Sequence, residues 1–269
     1  MIYLDLSYVI FFRYFATYSW YSKQNTKGEF IGDIKDSKDS KDSKDKDSII
    51  PTKDPVFIEK YNKLFEKMLT DLQKAHKLNE FIIAIDCSRD QIWRTAIYPE
   101  YKAGRETSGT FDSDIFGHTI NVLLPELSKT YNLKLYYHPH LEADDIVAVF
   151  VRAADSHEKK VVITGDYDYK QLLNIKNLTI YNLKGQEFIV EDTKLFLETK
   201  IIMGDKSDNI PAIAKKVGPV TAAKLAKDPE ALDLFFSKHP GANAQYTLNQ
   251  KLINFDYIPK NYANEIKLV

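Results

Sequence analysis

The chain has 269 residues, 44% of them hydrophobic and 28% charged, with a formal net charge of −1. That suits one large domain, or one domain with an appendage, and it excludes a global basic field that would by itself announce a polyanion. The single cysteine, Cys87, excludes an intrachain disulfide framework and points to a reducing compartment.

Residues 1–4 read as a buried strand ending at Asp5, and residues 7–21 as an aromatic-rich helix. The opening stretch has no basic leader and no small-residue cleavage site, and no apolar run approaches the ~20 residues of a membrane span. An intracellular protein that is neither secreted nor membrane-bound is therefore expected. Residues 33–48 are a tandem Lys-Asp-Ser repeat, expected to be a solvated low-complexity loop. Helical spacing returns at 55–77, with apolar positions at Val56, Phe57, Tyr61, Leu64, Phe65, Met68 and Leu72. A strand at 81–86 ends at Asp86. A helix at 114–130 should be kinked or split by Pro125. A strand at 133–138, a helix at 141–154, a strand at 160–166 ending at Asp166 and a strand at 178–181 follow. From about 191 the chain reads as wholly helical. Alternating strands and helices predict an α/β fold around a mostly parallel sheet.

Asp5, Asp86 and Asp166 each fall at the C-terminal end of a predicted strand, where open α/β sheets place their ligands. Glu142, Asp144 and Asp145 crowd the start of a helix. Capping and the helix dipole would account for one or two acids there, and three in four residues is an excess. Asp166 and Asp168 form a D-x-D pair, and Asp205 and Asp208 stand three apart; turn and cap roles remain open for both. Together these nine carboxylates would repel one another if left uncompensated. Oxygen donors without His or Cys partners favour two Mg²⁺ or Mn²⁺ ions, which can activate a water and stabilise a leaving oxygen in phosphodiester hydrolysis. His138 and His140 have no ligand spacing and are expected to serve a loop. Cys87 is expected to be a small buried residue.

The ordered set LDLS, IYPEYKAGR, LEADDIVA, TGDYDYKQLL and GDKSDNIPAI resembles the flap endonuclease and 5′-nuclease superfamily, in its phage- and polymerase-type 5′→3′ exonuclease branch. The resemblance runs from residue 1 to about 260. It implies a PIN-like nuclease core over 1–190, with a basic segment and helical arch at 94–120, and a helical DNA-binding region of helix–turn–helix type over 191–269. It implies that Asp5, Asp86, Glu142 and Asp144 serve a first metal, and that Asp145, Asp166, Asp168, Asp205 and Asp208 complete the metal cluster. Lys102 and Arg105 align with a catalytic basic pair, beside Asp144 and Asp166. Arg13, Arg94, Tyr101, Lys102, Arg105, Lys215, Lys216, Gly218 and Lys224 would contact DNA, Tyr101 by stacking on a frayed base unless it is core. The family's G-V-x-G-I-G hairpin is altered near Ala212–Lys216, which leaves its K⁺ binding open. Of the aromatics Phe11 to Tyr21, most should be core, and exposed ones could wedge a duplex end.

The implied activity is a Mg²⁺-dependent, structure-specific 5′→3′ exonuclease and flap endonuclease. It would act as a monomer on branched or nicked duplex DNA with a 5′ single strand, or on RNA–DNA primer junctions, in replication or repair. The rival readings are a PIN-like ribonuclease, a junction resolvase, and an inactive DNA-binding scaffold.

Overall fold

The computed structural model describes residues 1–25, 50–104 and 111–269. The Lys-Asp-Ser repeat and Arg105 lie outside the described residues. Among the described residues six strands form one sheet: β1 (Ile2–Asp5), β2 (Glu80–Ile85), β3 (Asn132–Tyr137), β4 (Lys160–Ile163), β5 (Leu178–Tyr181) and β6 (Lys267–Leu268), in the order β5-β4-β1-β2-β3-β6. All pairings are parallel except β3 with β6. The apolar runs of β1, β2 and β4 are buried almost throughout, as parallel strands covered on both faces require. The helices are α1 (Leu6–Asn25), α2 (Pro55–His76), α3 (Trp93–Ile97), α4 (Asp114–His118), α5 (Leu124–Leu127), α6 (Ala143–Ala153), α7 (Thr193–Met203), α8 (Pro219–Lys227), α9 (Pro229–Lys238), α10 (Ala242–Ile253) and α11 (Lys260–Asn264).

Two compact units are present. The first comprises Met1–Val9, Leu78–Thr107 and Tyr131–Val269 and holds the sheet with α6 to α11. Here α6 buries Ile146, Val147, Ala148 and Val151 in the cluster that includes Tyr3, Ile82 and Val162 of the central strands. β1 lies between β2 and β4, so chain order reverses direction at β1. That is the switch point where the rule for open α/β sheets puts a crevice.

The second unit comprises Ile10–Lys77 and Ser108–Thr130. Tyr14, Phe57, Tyr61, Phe65 and Ile115 are fully buried in it. Phe11 and Phe15 keep 37% and 40% of their surface exposed, Phe11 packing its ring 4.4 Å from that of Phe111. The expected 114–130 helix is broken as anticipated, by a π-helical turn at Thr119–Leu123 directly ahead of α5. Pro125 has no N–H to give to the preceding turn, and the wider turn accommodates that loss.

The expectation of a wholly helical chain beyond 191 is corrected between α7 and α8, where residues 204–218 form turns and an isolated bridge, and again beyond α11. Lys267–Leu268 adds an antiparallel edge strand to β3, with the Val269 N–H donating to Leu135 O at 2.9 Å. Two residues carry no periodicity, so the pattern could not reveal it.

Candidate metal centre

The acids are placed by the turns that follow the strands. Asp5 closes β1 and caps α1, its Oδ1 accepting the Tyr8 N–H at 3.1 Å. Its Oδ2 meets the hydroxyls of Thr164 at 3.4 Å and Tyr169 at 3.5 Å. Asp86, next after β2, accepts the Ala143 N–H at the start of α6 at 2.8 Å and the Ser7 hydroxyl. Asp166 accepts the Asp168 N–H at 2.8 Å, and Asp205 the Ser207 N–H at 2.7 Å. The capping role weighed from sequence is therefore real, and it orients these carboxylates as well.

Gly204 makes the last turn possible. Its φ is +72°, and a Cβ there would stand 2.4 Å from the carbonyl oxygens of Ile210 and Pro211. Only glycine allows the backbone to close so tightly and return Asp205 and Asp208 to the site.

A recess of about 530 Å³ results, lined by Asp5, Asp86, Glu142, Asp144, Asp166, Asp168, Asp205 and Asp208, with Lys102 and Lys200 among them. Eight of the nine expected acids are thus brought together. Asp145 is the exception, turned into the interior and fully buried. Its oxygens accept Arg94 Nη1 at 2.8 Å, Arg94 Nη2 at 2.7 Å and the Trp93 indole N–H at 2.9 Å. A metal could be approached by Glu142, Asp144 and Asp145 together, since one oxygen of each lies within 4.8 Å of the others. The hydrogen bonds, however, tie Asp145 to Arg94.

Two expectations about DNA contacts are corrected here. Arg94 is only 2% exposed and also bonds Glu142 and Leu252 O, each at 2.8 Å. Its charge is used to neutralise buried carboxylates and is out of reach of a phosphate. Tyr101 is 4% exposed, and its hydroxyl donates to Glu142 at 3.1 Å and Asp208 at 3.0 Å, so it cannot stack on a base. Lys102 bonds Glu142 and lies 3.9 Å from Asp208, with its own backbone at φ 56°, an uncommon conformation for a residue other than glycine. Lys215, Lys216 and Lys224 are exposed, and Arg13 is half-buried over the Phe12 ring. Gly218 caps α8 at φ −113° with open space where a Cβ would stand, so no close approach within the chain demands glycine.

Burial raises the Asp5 carboxyl to about 7, aided by the neighbouring Asp86 charge. Burial raises Asp86 too, against the bonds from Ala143 and Ser7. Asp144 is pushed well above the carboxylate range by burial and by Asp145 and Glu142. The opposite holds where a lysine is in contact. Burial would raise Glu142, but Lys102 and Arg94 hold it low; likewise Lys200 and the Ser207 donors keep Asp205 at about 2. Asp5, Asp86 and Asp144 thus form a group poised for an added cation, and an all-oxygen donor set suits a hard divalent one. Cys87 is buried, its thiol pushed up to about 12 by burial and the acids around it, and is no nucleophile.

Ser7, Trp93 and Lys200 were not anticipated from sequence. Lys200 had a visible signal, a lone lysine directly before the apolar run Ile201–Met203 and five residues ahead of Asp205.

Residues 57–202 match the family described as 5′-3′ exonuclease, N-terminal resolvase-like domain. The flap endonuclease Xni of Shewanella sp. (strain W3-18-1) is 30% identical over 187 residues, covering 65% of this chain and 68% of the relative. DNA polymerase I of Streptococcus pneumoniae (strain ATCC BAA-255 / R6) is 27% identical over 203 residues, 71% of this chain, but the match spans only 22% of the polymerase. Among solved structures, the bacteriophage T5 5′-exonuclease with bound zinc aligns with a TM-score of 0.59 at 18% identity, over 98% of this chain and 91% of the phage protein. The T5 D15 flap endonuclease, solved in a complex with DNA and metal ions, aligns with a TM-score of 0.60 at 17% identity, over 76% of this chain and 88% of that one. At that identity the structural likeness speaks for the α/β fold with its mostly parallel sheet. With a family profile matched over more than half its length, and carboxylates gathered where the fold puts its crevice, the chain belongs to the 5′-3′ exonuclease family.

Proposed function

We propose that the protein is a divalent-cation-dependent 5′→3′ exonuclease and flap endonuclease acting on DNA with a 5′ single-stranded end. The observation that carries this reading is the recess of eight carboxylates at the ends of β1, β2 and β4 in a member of this family. Asp5, Asp86, Glu142 and Asp144 would hold a first Mg²⁺ or Mn²⁺ ion, and Asp166, Asp168, Asp205 and Asp208 a second. Such ions, when bound, supply Lewis acidity toward a phosphodiester and lower the pKa of bound water. Asp145 does not ligate in this reading; it fixes the start of α6 through Arg94 and Trp93.

Lys102 lines the recess and, with Arg105, would hold the scissile phosphate and offset its developing charge. Residues 191–269 would form the duplex-binding region. The exposed Lys215, Lys216 and Lys224, with the N-terminus of α8, to whose N–H groups the N-cap Gly218 offers no side chain, would bind the phosphates of the duplex without reading bases. The exposed Phe11 and Phe15 could stack on a duplex end. Cleavage would leave a 5′-phosphate and a 3′-hydroxyl, on 5′ flaps and on RNA primers paired to DNA, in replication or repair.

The test is a 5′-flap duplex labelled at its 3′ end, incubated with Mg²⁺ and either the wild-type protein or Asp166→Asn. Cleavage at the flap junction by wild type alone is the expected result. Binding without cleavage in either Mg²⁺ or Mn²⁺ would make the protein a DNA-binding scaffold. Cleavage of single-stranded RNA alone would move it to the ribonucleases.

A further inference from the structure

Lys200 projects from the last turn of α7 and meets two carboxylates at once. Its Nζ lies 2.8 Å from Asp205 Oδ2 and also pairs with Asp168 Oδ1. The three side chains are only 13%, 15% and 14% exposed, so water competes little for these contacts. The helix holds the lysine firmly, because the next two residues, Ile201 and Ile202, are buried in two different apolar clusters. Asp205 is fixed from the other side by Ser207. Of the other acids, Glu142 pairs with Lys102 and Arg94, and Asp208 lies 3.9 Å from Lys102. Among the described residues no ion pair reaches Asp5, Asp86 or Asp144.

An ammonium and a divalent cation held by the same two carboxylates draw on the same oxygen lone pairs. Asp205 Oδ1 is already taken up by Ser207, so an ion that draws on Asp205 Oδ2 must contend with the ammonium held there. We propose that Lys200 is an internal competitor for the second cation: an ion bound by Asp168 and Asp205 must displace its ammonium, so that ion binds more weakly than the one at Asp5, Asp86 and Asp144. The inference rests on the reading that Asp168 and Asp205 take a cation. It makes occupation of the two positions sequential, with the concentration needed for the second set by one lysine.

The experiment is calorimetric titration of the full chain with Ca²⁺ and with Mn²⁺, without DNA, so that affinity is read independently of cleavage. Wild type should show two classes of site. In Lys200→Met the weaker class should tighten by about tenfold or more, with the stronger class within about twofold of wild type. Lys200→Gln is the second variant, with the same expectation should the first fold poorly. Lys206→Met, which removes an exposed charge beside Asp205, is the control for simple repulsion and should shift the weaker class by no more than about twofold. The gain in Lys200→Met should persist in about 0.5 M KCl, since a direct contact is screened far less than a distant charge. A weaker class that is unchanged or loosened in both Lys200 variants overturns the proposal. So does a gain that Lys206→Met reproduces, or one that salt abolishes. Uptake of no divalent cation by wild type would overturn the metal reading and the competition together; two classes with unaltered affinities would overturn the competition alone.

Discussion

Removing the Arg94 guanidinium would leave Asp145 buried with neither oxygen paired to a cation, and would take one partner from Glu142. Breaking a buried pair from one side costs about 3–5 kcal/mol. Arg94→Met should therefore lose stability of that order in urea unfolding, and adding Asp145→Asn should recover part of it by removing the stranded charge. The position of Arg94 in the chain was legible but its role was not. A basic residue in a five-residue helix looks the same in sequence whether it faces water or an acid from a helix 50 residues later. Asp5 offers a test in pH. Its folded carboxyl titrates at about 7 against an ordinary value of 3.8, so the folded state binds the proton more tightly than the unfolded one. In chelator, the stability contributed by this group is full below the unfolded value and is lost as pH rises toward and through about 7. Urea midpoints measured from pH 5 to about 8 should fall in wild type, and fall less steeply in Asp5→Asn.

At the level of elements, β1, β2 and β4 could be read directly because each is a short apolar run that stops at or near an acid. Parallel strands buried on both faces leave no alternation to misread. The segment at 114–130 was legible as a broken helix through Pro125, but the π turn was not, because many sequences satisfy it. The acidic turn at 204–208 was visible as a motif, yet its geometry depends on a non-local contact that sequence does not display. Gly204→Ala tests that geometry. A methyl group would meet two carbonyl oxygens, and the residue would be strained at φ 72° besides. The substitution should cost more than about 1 kcal/mol and impair divalent-cation binding by moving Asp205, read by thermal unfolding with and without Mn²⁺.

For the molecule as a whole, a net charge of −1 conceals a strong segregation. Eight carboxylates share one recess, whereas Lys215, Lys216 and Lys224 stand in solvent. Composition averages these away, so it correctly excluded a global field and said nothing of local ones. Any cation that binds only the folded chain must raise its stability. At one hundred times its dissociation constant a single Mg²⁺ ion adds about 2.7 kcal/mol. The unfolding temperature should rise with Mg²⁺ accordingly, and the rise should shrink in Asp144→Asn. Among the described residues no helix is long and apolar enough to cross a membrane.

The central place of β1 has a consequence for synthesis. Ile2, Tyr3 and Leu4 are wholly buried between β2 and β4, whose partner residues begin at Phe81 and Val161. Translation at ~5–20 residues per second separates the emergence of β1 from that of β4 by roughly 10–30 s. Throughout that interval an apolar strand is outside the ribosome with at least one edge unpaired. Newly made protein should thus depend on chaperones early, and its sheet can be completed only after β4 and β5 are released.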